Sequence, residues 1–67
     1  MLKYSIEEAR KDKGLTQNEL SIRSGVSRTI ISGLESGRIQ NTTAGTLLKI
    51  ASALEVNVED IFFTSDV

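Results

Sequence analysis

Neither cysteine nor histidine nor proline occurs among the 67 residues of this chain. Without cysteine there is no disulfide to brace the fold and no thiolate to hold a metal. Without histidine the commonest general base and metal ligand is missing. No convergent acid cluster takes their place, so neither a catalytic site nor a metal or cofactor site is expected. No apolar run approaches the roughly 18 residues that cross a bilayer, and no segment reads as a signal peptide. The expectation is a cytoplasmic protein with no membrane partner and no small-molecule substrate. Without proline, helices must be stopped by glycine and by capping side chains. A chain this short forms one domain, residues 1–67, with a limited core.

What charge there is lies unevenly. The net value of −1 is low for a partner of nucleic acid. Residues 1–40 nevertheless carry seven Lys and Arg against five Asp and Glu, leaving +2. Residues 41–67 carry Lys49 against Glu55, Glu59, Asp60 and Asp66, leaving −3. An anionic partner would meet the first part, with the acidic end facing away. Long-range attraction stays modest, so binding would rest on local contacts and on two copies.

The richest signal runs from Gln17 to Gly37. Thr16 followed by Glu19 is a capping box that opens one helix. Leu20 is its main apolar residue, and small Ser21 lets a second helix approach. Gly25 ends it with a positive φ that costs glycine little. Ser27 is an N-cap for the next helix. There Val26, Ile31 and Leu34 form one inner stripe. Ser27, Arg28, Thr29, Ser32 and Gly33 point the other way, with Ser36. That outer face has no acid and no large apolar group, so it can approach phosphates and base edges. Gly33 costs a helix about 1 kcal/mol relative to alanine; placed on the exposed side, it suggests close approach of another body or is simply tolerated.

Around this stretch, Ser5 with Glu8 reads as a further capping box for a first helix over about Ile6 to Lys13. Gly14 ends that helix, and Leu15 lies buried under the turn. Arg38 to Thr43 is a polar loop. Leu47, Ile50, Ala51 and Leu54 recur at helical spacing and mark a fourth helix over Ala44 to Leu54. Asn57 with Asp60 caps a last short helix over Val58 to Phe63, with Val56, Val58 and Ile61 closing the core. Phe62 and Phe63 are adjacent, so one is expected at the surface. Near Leu54 or Val56 it would seed an apolar patch for a twofold partner.

Taken together, Gln17, Glu19-Leu20, Gly25-Val26-Ser27, Ile31-Ser32, Leu34-Glu35 and Gly37 resemble the helix-turn-helix of the Cro/C1-type (XRE-like) family. The likeness covers about Ile6 to Phe62. That family includes phage repressors, controllers of restriction systems, antitoxins and small bacterial regulators. The resemblance implies an all-α, compact five-helix domain of the lambda-repressor-like type, with the helix-turn-helix at helices 2 and 3. It implies a sequence-specific transcriptional regulator of double-stranded DNA, a repressor by preference, reading the major groove with helix 3 as a homodimer. An antitoxin or a protein-interaction adaptor on the same fold is the alternative.

By the family's motif, Arg28, Thr29, Ser32 and Gly33 stand where base edges are met. Arg28 is the strongest candidate, because its fork can hold O6 and N7 of guanine. Gln17 matches a phosphate-contacting position, aided by the helix N-terminus. Thr16 and Ser27 are caps that also offer donors to phosphate. The loop backbone meets a phosphate too, assisted by Arg38, Asn41, Thr42 or Thr43. The resemblance further implies an ion pair between Arg10 and Glu35, since an acid on the inner side of helix 3 needs a partner. It also favours dimerisation near the C-terminus, which would use Leu54, Val56, Phe62 and Phe63.

Overall fold

The computed structural model describes residues 3–61 and 63–64, with the backbone alone for residues 3, 63 and 64. Strand β1 is Lys3–Tyr4, followed by α1 (Ile6–Asp12), α2 (Gln17–Ser24), α3 (Arg28–Ser36) and α4 (Ala44–Leu54). A 3-10 turn, Val58–Ile61, and strand β2, Phe63–Thr64, complete the order.

The helix termini follow from local chemistry. At α2 the Thr16 hydroxyl accepts from the Glu19 N–H at 3.0 Å, while the Glu19 carboxylate accepts from the Thr16 N–H at 2.9 Å. Thr43 caps α4 in the same sense, accepting from the Thr46 N–H at 3.1 Å. Ser5 departs from expectation. It stands at the N-cap of α1 but makes no side-chain cap bond. Its N–H instead donates to the Ile61 carbonyl at 3.2 Å, tying the start of α1 to the end of the 3-10 turn. At the end of α4, Glu55 takes a left-handed conformation, φ 59°. That costs a non-glycine residue roughly 1–2 kcal/mol. Two bonds offset it: Glu55 N–H to the Ser52 carbonyl at 3.1 Å, and Val56 N–H to the Ala51 carbonyl at 3.0 Å.

The expected fifth helix forms only as a 3-10 turn, not as an α-helix. Val58–Ile61 makes a single 3-10 turn of four residues. Asp60 closes it from both sides, its N–H donating to the Asn57 carbonyl at 2.9 Å and its carboxylate accepting from the Asn57 N–H at 3.2 Å. One turn does not recover the cost of nucleating an α-helix, and the β-branched and aromatic residues that follow favour extended backbone. Apart from one pair of two-residue strands, the described fold is the all-helical one expected. β2 pairs antiparallel with β1, Tyr4 opposite Phe63 and Lys3 opposite Thr64.

The core draws one stripe from each helix. Ile6, Leu20, Ile31, Leu34, Ile50, Leu54 and Ile61 are fully buried, and Tyr4, Leu15, Val26, Leu47 and Ala51 close around them. Tyr4, which carried no signal in the sequence, is 4% exposed and donates its hydroxyl to the Gln40 carbonyl at 2.9 Å. The burial of Leu54 corrects the expectation that it lies in a dimer surface. It continues the inward stripe of α4 one turn beyond Ile50, so its side chain is already covered by the chain's own core. Val56 is half-buried against that core. Phe62 lies outside the described residues, and of Phe63 only the backbone is described. Among the described residues, no helix is long and apolar enough to cross a membrane.

Candidate nucleic-acid interface

Three bonds set how α3 leaves α2. The Gly25 N–H donates to the Ser21 carbonyl at 2.9 Å with φ at 73°, a conformation a side chain would resist. The Ser21 hydroxyl donates to the Val26 carbonyl at 2.7 Å, and the Ser24 hydroxyl accepts from the Val26 N–H at 3.2 Å. Ser21 and Ser24 thus pin the turn as well as leaving room for it. Val26 drops into the core, and the Ser27 hydroxyl caps α3 by accepting from the Ile30 N–H at 3.2 Å.

On its inner side α3 carries a charge as well as apolar groups. Glu35 is 5% exposed and Arg10, from α1, is 8% exposed. Arg10 Nε donates to Glu35 Oε2 at 2.8 Å and Nη2 to Oε1 at 3.1 Å, a fork-to-carboxylate pair. Arg10 Nη1 donates to the Leu15 carbonyl at 2.8 Å. Gln17 Nε2 completes the set, donating to Glu35 Oε1 at 3.0 Å. No buried side-chain nitrogen or oxygen among the described residues lacks a partner. The hydrogen bonding that Arg10 donates to Glu35 is the main cause of its raised pKa, so the guanidinium stays charged. A buried pair of this kind adds little net stability over an apolar substitute. What it does geometrically is hold α1, the start of α2 and the end of α3 in one register.

On the outer side Arg28 and Thr29 are exposed and Ser32 is half-exposed. With Gln17 and Arg38 they line one shallow groove that contains no acid. Lys11 pairs with Glu7 at 3.3 Å and Lys13 with Glu55 at 3.4 Å. Arg28 and Arg38 have no acidic partner among the described residues, and both border the groove. An open surface with two such guanidiniums, two hydroxyls and an amide is chemically suited to phosphate oxygens and base edges.

Other expected contacts have prior commitments. Gln17 must turn its NH2 group toward Glu35, because a carboxylate only accepts. One amide N–H is left over beyond the bond to Glu35. Ser27 uses an oxygen lone pair as a cap, which leaves its O–H able to donate outward, whereas the Thr16 hydroxyl is also engaged with the Glu19 carboxylate. Thr43 caps α4 and also shares a 2.9 Å hydrogen bond with the Thr46 hydroxyl. Asn41 is exposed and Thr42 half-buried.

Gly33 requires correction. It does not stand on the open face. It is buried, and a Cβ there would overlap the Ile39 side chain, 2.6 Å from its Cγ1. The body that approaches Gly33 closely is the chain's own loop. The Ile39 N–H donates to the Gly33 carbonyl at 3.0 Å, drawing the loop back across α3. Sequence reasoning passed over Ile39. Its signal was a lone aliphatic residue in a polar loop, following a helix with a glycine on its flank.

Comparison with known proteins agrees with this geometry. A family model described as Helix-turn-helix matches residues 6–61. An uncharacterized HTH-type transcriptional regulator of Methanothermobacter thermautotrophicus is 44% identical over 62 residues, covering 91% of this chain and 88% of the relative. The uncharacterized HTH-type transcriptional regulator y4dJ of Sinorhizobium fredii is 44% identical over 57 residues, covering 85% and 73%. The HTH-type transcriptional regulator SlrR of Bacillus subtilis is 38% identical, and this chain spans only 35% of it. Among solved structures, the restriction-modification controller protein C.AhdI of Aeromonas hydrophila superposes with a TM-score of 0.78 at 35% identity, covering 85% of each chain. The biofilm regulator SinR, solved in complex with DNA, gives 0.78 at 31% identity, covering 81% of this chain and 86% of SinR. With an arginine-bearing α3 presented on a glycine turn and the match running from α1 to the 3-10 turn, the chain belongs to the helix-turn-helix family, in its Cro/C1-type (XRE-like) branch.

Proposed function

We propose that this chain is a sequence-specific DNA-binding transcriptional regulator, acting as a repressor and as a homodimer. The observation that carries the reading is the division of α3: Ile31, Leu34 and Glu35 are buried while Arg28 and Thr29 are exposed. The N-terminal half of α3 enters the major groove. Arg28 takes O6 and N7 of a guanine, and Thr29 offers its methyl to a thymine. The N-terminus of α2 and Arg38 bind phosphates on either side, with Thr16, Ser27, Asn41 and Thr42 in support. One short helix reads few base pairs, so two copies are needed to select a site. Their half-sites lie about 34 Å apart, one turn of the duplex. Bound across a promoter, such a dimer represses by occupying it.

Selection of bound duplexes from a random pool tests the whole reading. It should return two inverted half-sites one helical turn apart, each with a fixed guanine. Recovery of single half-sites would remove the dimer. Recovery of unrelated sequences would remove sequence-specific recognition.

A further inference from the structure

Arg38 lies on a loop, yet it borders the same groove as Arg28 on rigid α3. A long cation on an untethered loop would sample many positions. The bonds around it show that this loop is tied down, and that the tie converges on Gly33. The Gly33 carbonyl accepts twice, from the Ser36 hydroxyl at 3.2 Å and from the Ile39 N–H at 3.0 Å. The Ser36 hydroxyl oxygen in turn accepts from the Arg38 N–H at 3.3 Å. Gly37, φ 84°, turns the chain, and Gln40 Nε2 returns a bond to the Gly37 carbonyl at 3.3 Å. The Ile39 side chain then packs on the bare Cα of Gly33 and against the core. The Arg38 backbone is therefore held on both sides, by the Ser36 hydroxyl on its own N–H and by the anchored Ile39 after it.

We propose that Gly33 and Ile39 form a positioning pair whose task is to fix Arg38 as a phosphate contact beside Arg28. Gly33 is then not a reader of bases. It is the seat that lets Ile39 close the loop. Any side chain at position 33 displaces the Ile39 γ- and δ-carbons and frees Arg38. This rests on the reading that the groove binds DNA, and it adds a role for two residues that touch none.

The test is a double-mutant cycle read by salt dependence. Fluorescence anisotropy on a labelled duplex carrying the selected site gives the slope of log K against log[KCl]. Its magnitude falls by about 0.9 for each phosphate that the protein ceases to neutralise. Arg38→Ala should lower the slope by about one such step. Gly33→Ala should lower it in the same direction while circular dichroism still shows a folded helical domain. Gly33→Ala combined with Arg38→Ala should be no worse than Arg38→Ala alone, since the same phosphate cannot be given up twice. Ile39→Ala, which removes the clamp without crowding, should repeat the Gly33→Ala result. A wild-type slope in both Gly33→Ala and Ile39→Ala would overturn the pairing, as would effects that add fully to that of Arg38→Ala. Failure of the unmutated protein to bind any duplex would instead remove the DNA reading on which the pairing rests.

Discussion

The two sides of α3 use arginine in opposite ways. Arg10, packed against the inner side, gives the Nε–Nη2 edge of its fork to Glu35 and a third bond, from Nη1, to the Leu15 carbonyl. Arg28, on the outer side, has no acidic partner among the described residues and borders an open groove. Residue type alone does not distinguish them. The difference teaches that a buried guanidinium serves geometry, because everything it can bond to belongs to the fold. An exposed one such as Arg28 is left available for recognition, because its bonds are still to be made. Gln17 joins the two sides, with one N–H on Glu35 and the rest of its amide at the groove.

Arg10→Met should break this contrast most severely. It leaves Glu35 buried with only Gln17 to satisfy it, at a cost of about 3–5 kcal/mol. The Tm measured by circular dichroism should fall by at least about 10 °C for a domain of this size, and DNA affinity should weaken with it. Adding Glu35→Leu should recover most of the lost stability, since an apolar pair replaces the ionic one. A Tm unchanged by Arg10→Met would show that the pair does not tie α1 to α3.

Arg28→Ala sharpens the contrast from the other side. Stability should stay within about 0.5 kcal/mol, as for an exposed residue away from the core. Discrimination at one base pair in each half-site should drop by about 1–3 kcal/mol. An equal loss on selected and random duplexes would place Arg28 on phosphate instead.

Glu19 is the intermediate case, a charge that is exposed yet engaged. Its carboxylate accepts the Thr16 N–H, the larger cause, and Thr16's hydroxyl adds to it, so its pKa lies below the usual carboxylate range. A lowered folded-state pKa gives stability that is present above the unfolded value, about 4.3, and lost as pH falls through the folded one. Tm should therefore decline as pH falls below about 4.3, and Glu19→Gln, uncharged throughout, should decline less steeply. Parallel acid limbs in the two proteins would deny Glu19 this role. This is the smallest of the expected effects.

Much of the fold was legible in the order of residues. The stripe Leu47, Ile50, Ala51 and Leu54 marked α4 with its observed bounds, and Thr16, Gly25 and Ser27 marked the limits of the central helices. Periodicity and caps are local, so they survive without tertiary information. Less local features did not. Tyr4 in the core, β1 against β2, and Ile39 on Gly33 each join residues distant in the chain or on different elements. The open face of α3 was read correctly at Arg28, Thr29 and Ser32. It failed at Gly33, where spacing placed a residue at the edge of that face and could not tell solvent from a returning loop.

By itself, the sequence determined that α1 to α4 are helical, about where they stop, and which stripe of each turns inward, because each depends on neighbours within one or two turns. Only the tertiary structure decided how fully the Arg10–Glu35 pair is enclosed, what fills the space over Gly33, and whether the C-terminal segment pairs as strand or coils as helix. Those outcomes depend on which groups arrive from elsewhere in the chain, and burial and strand pairing are settled only when they do.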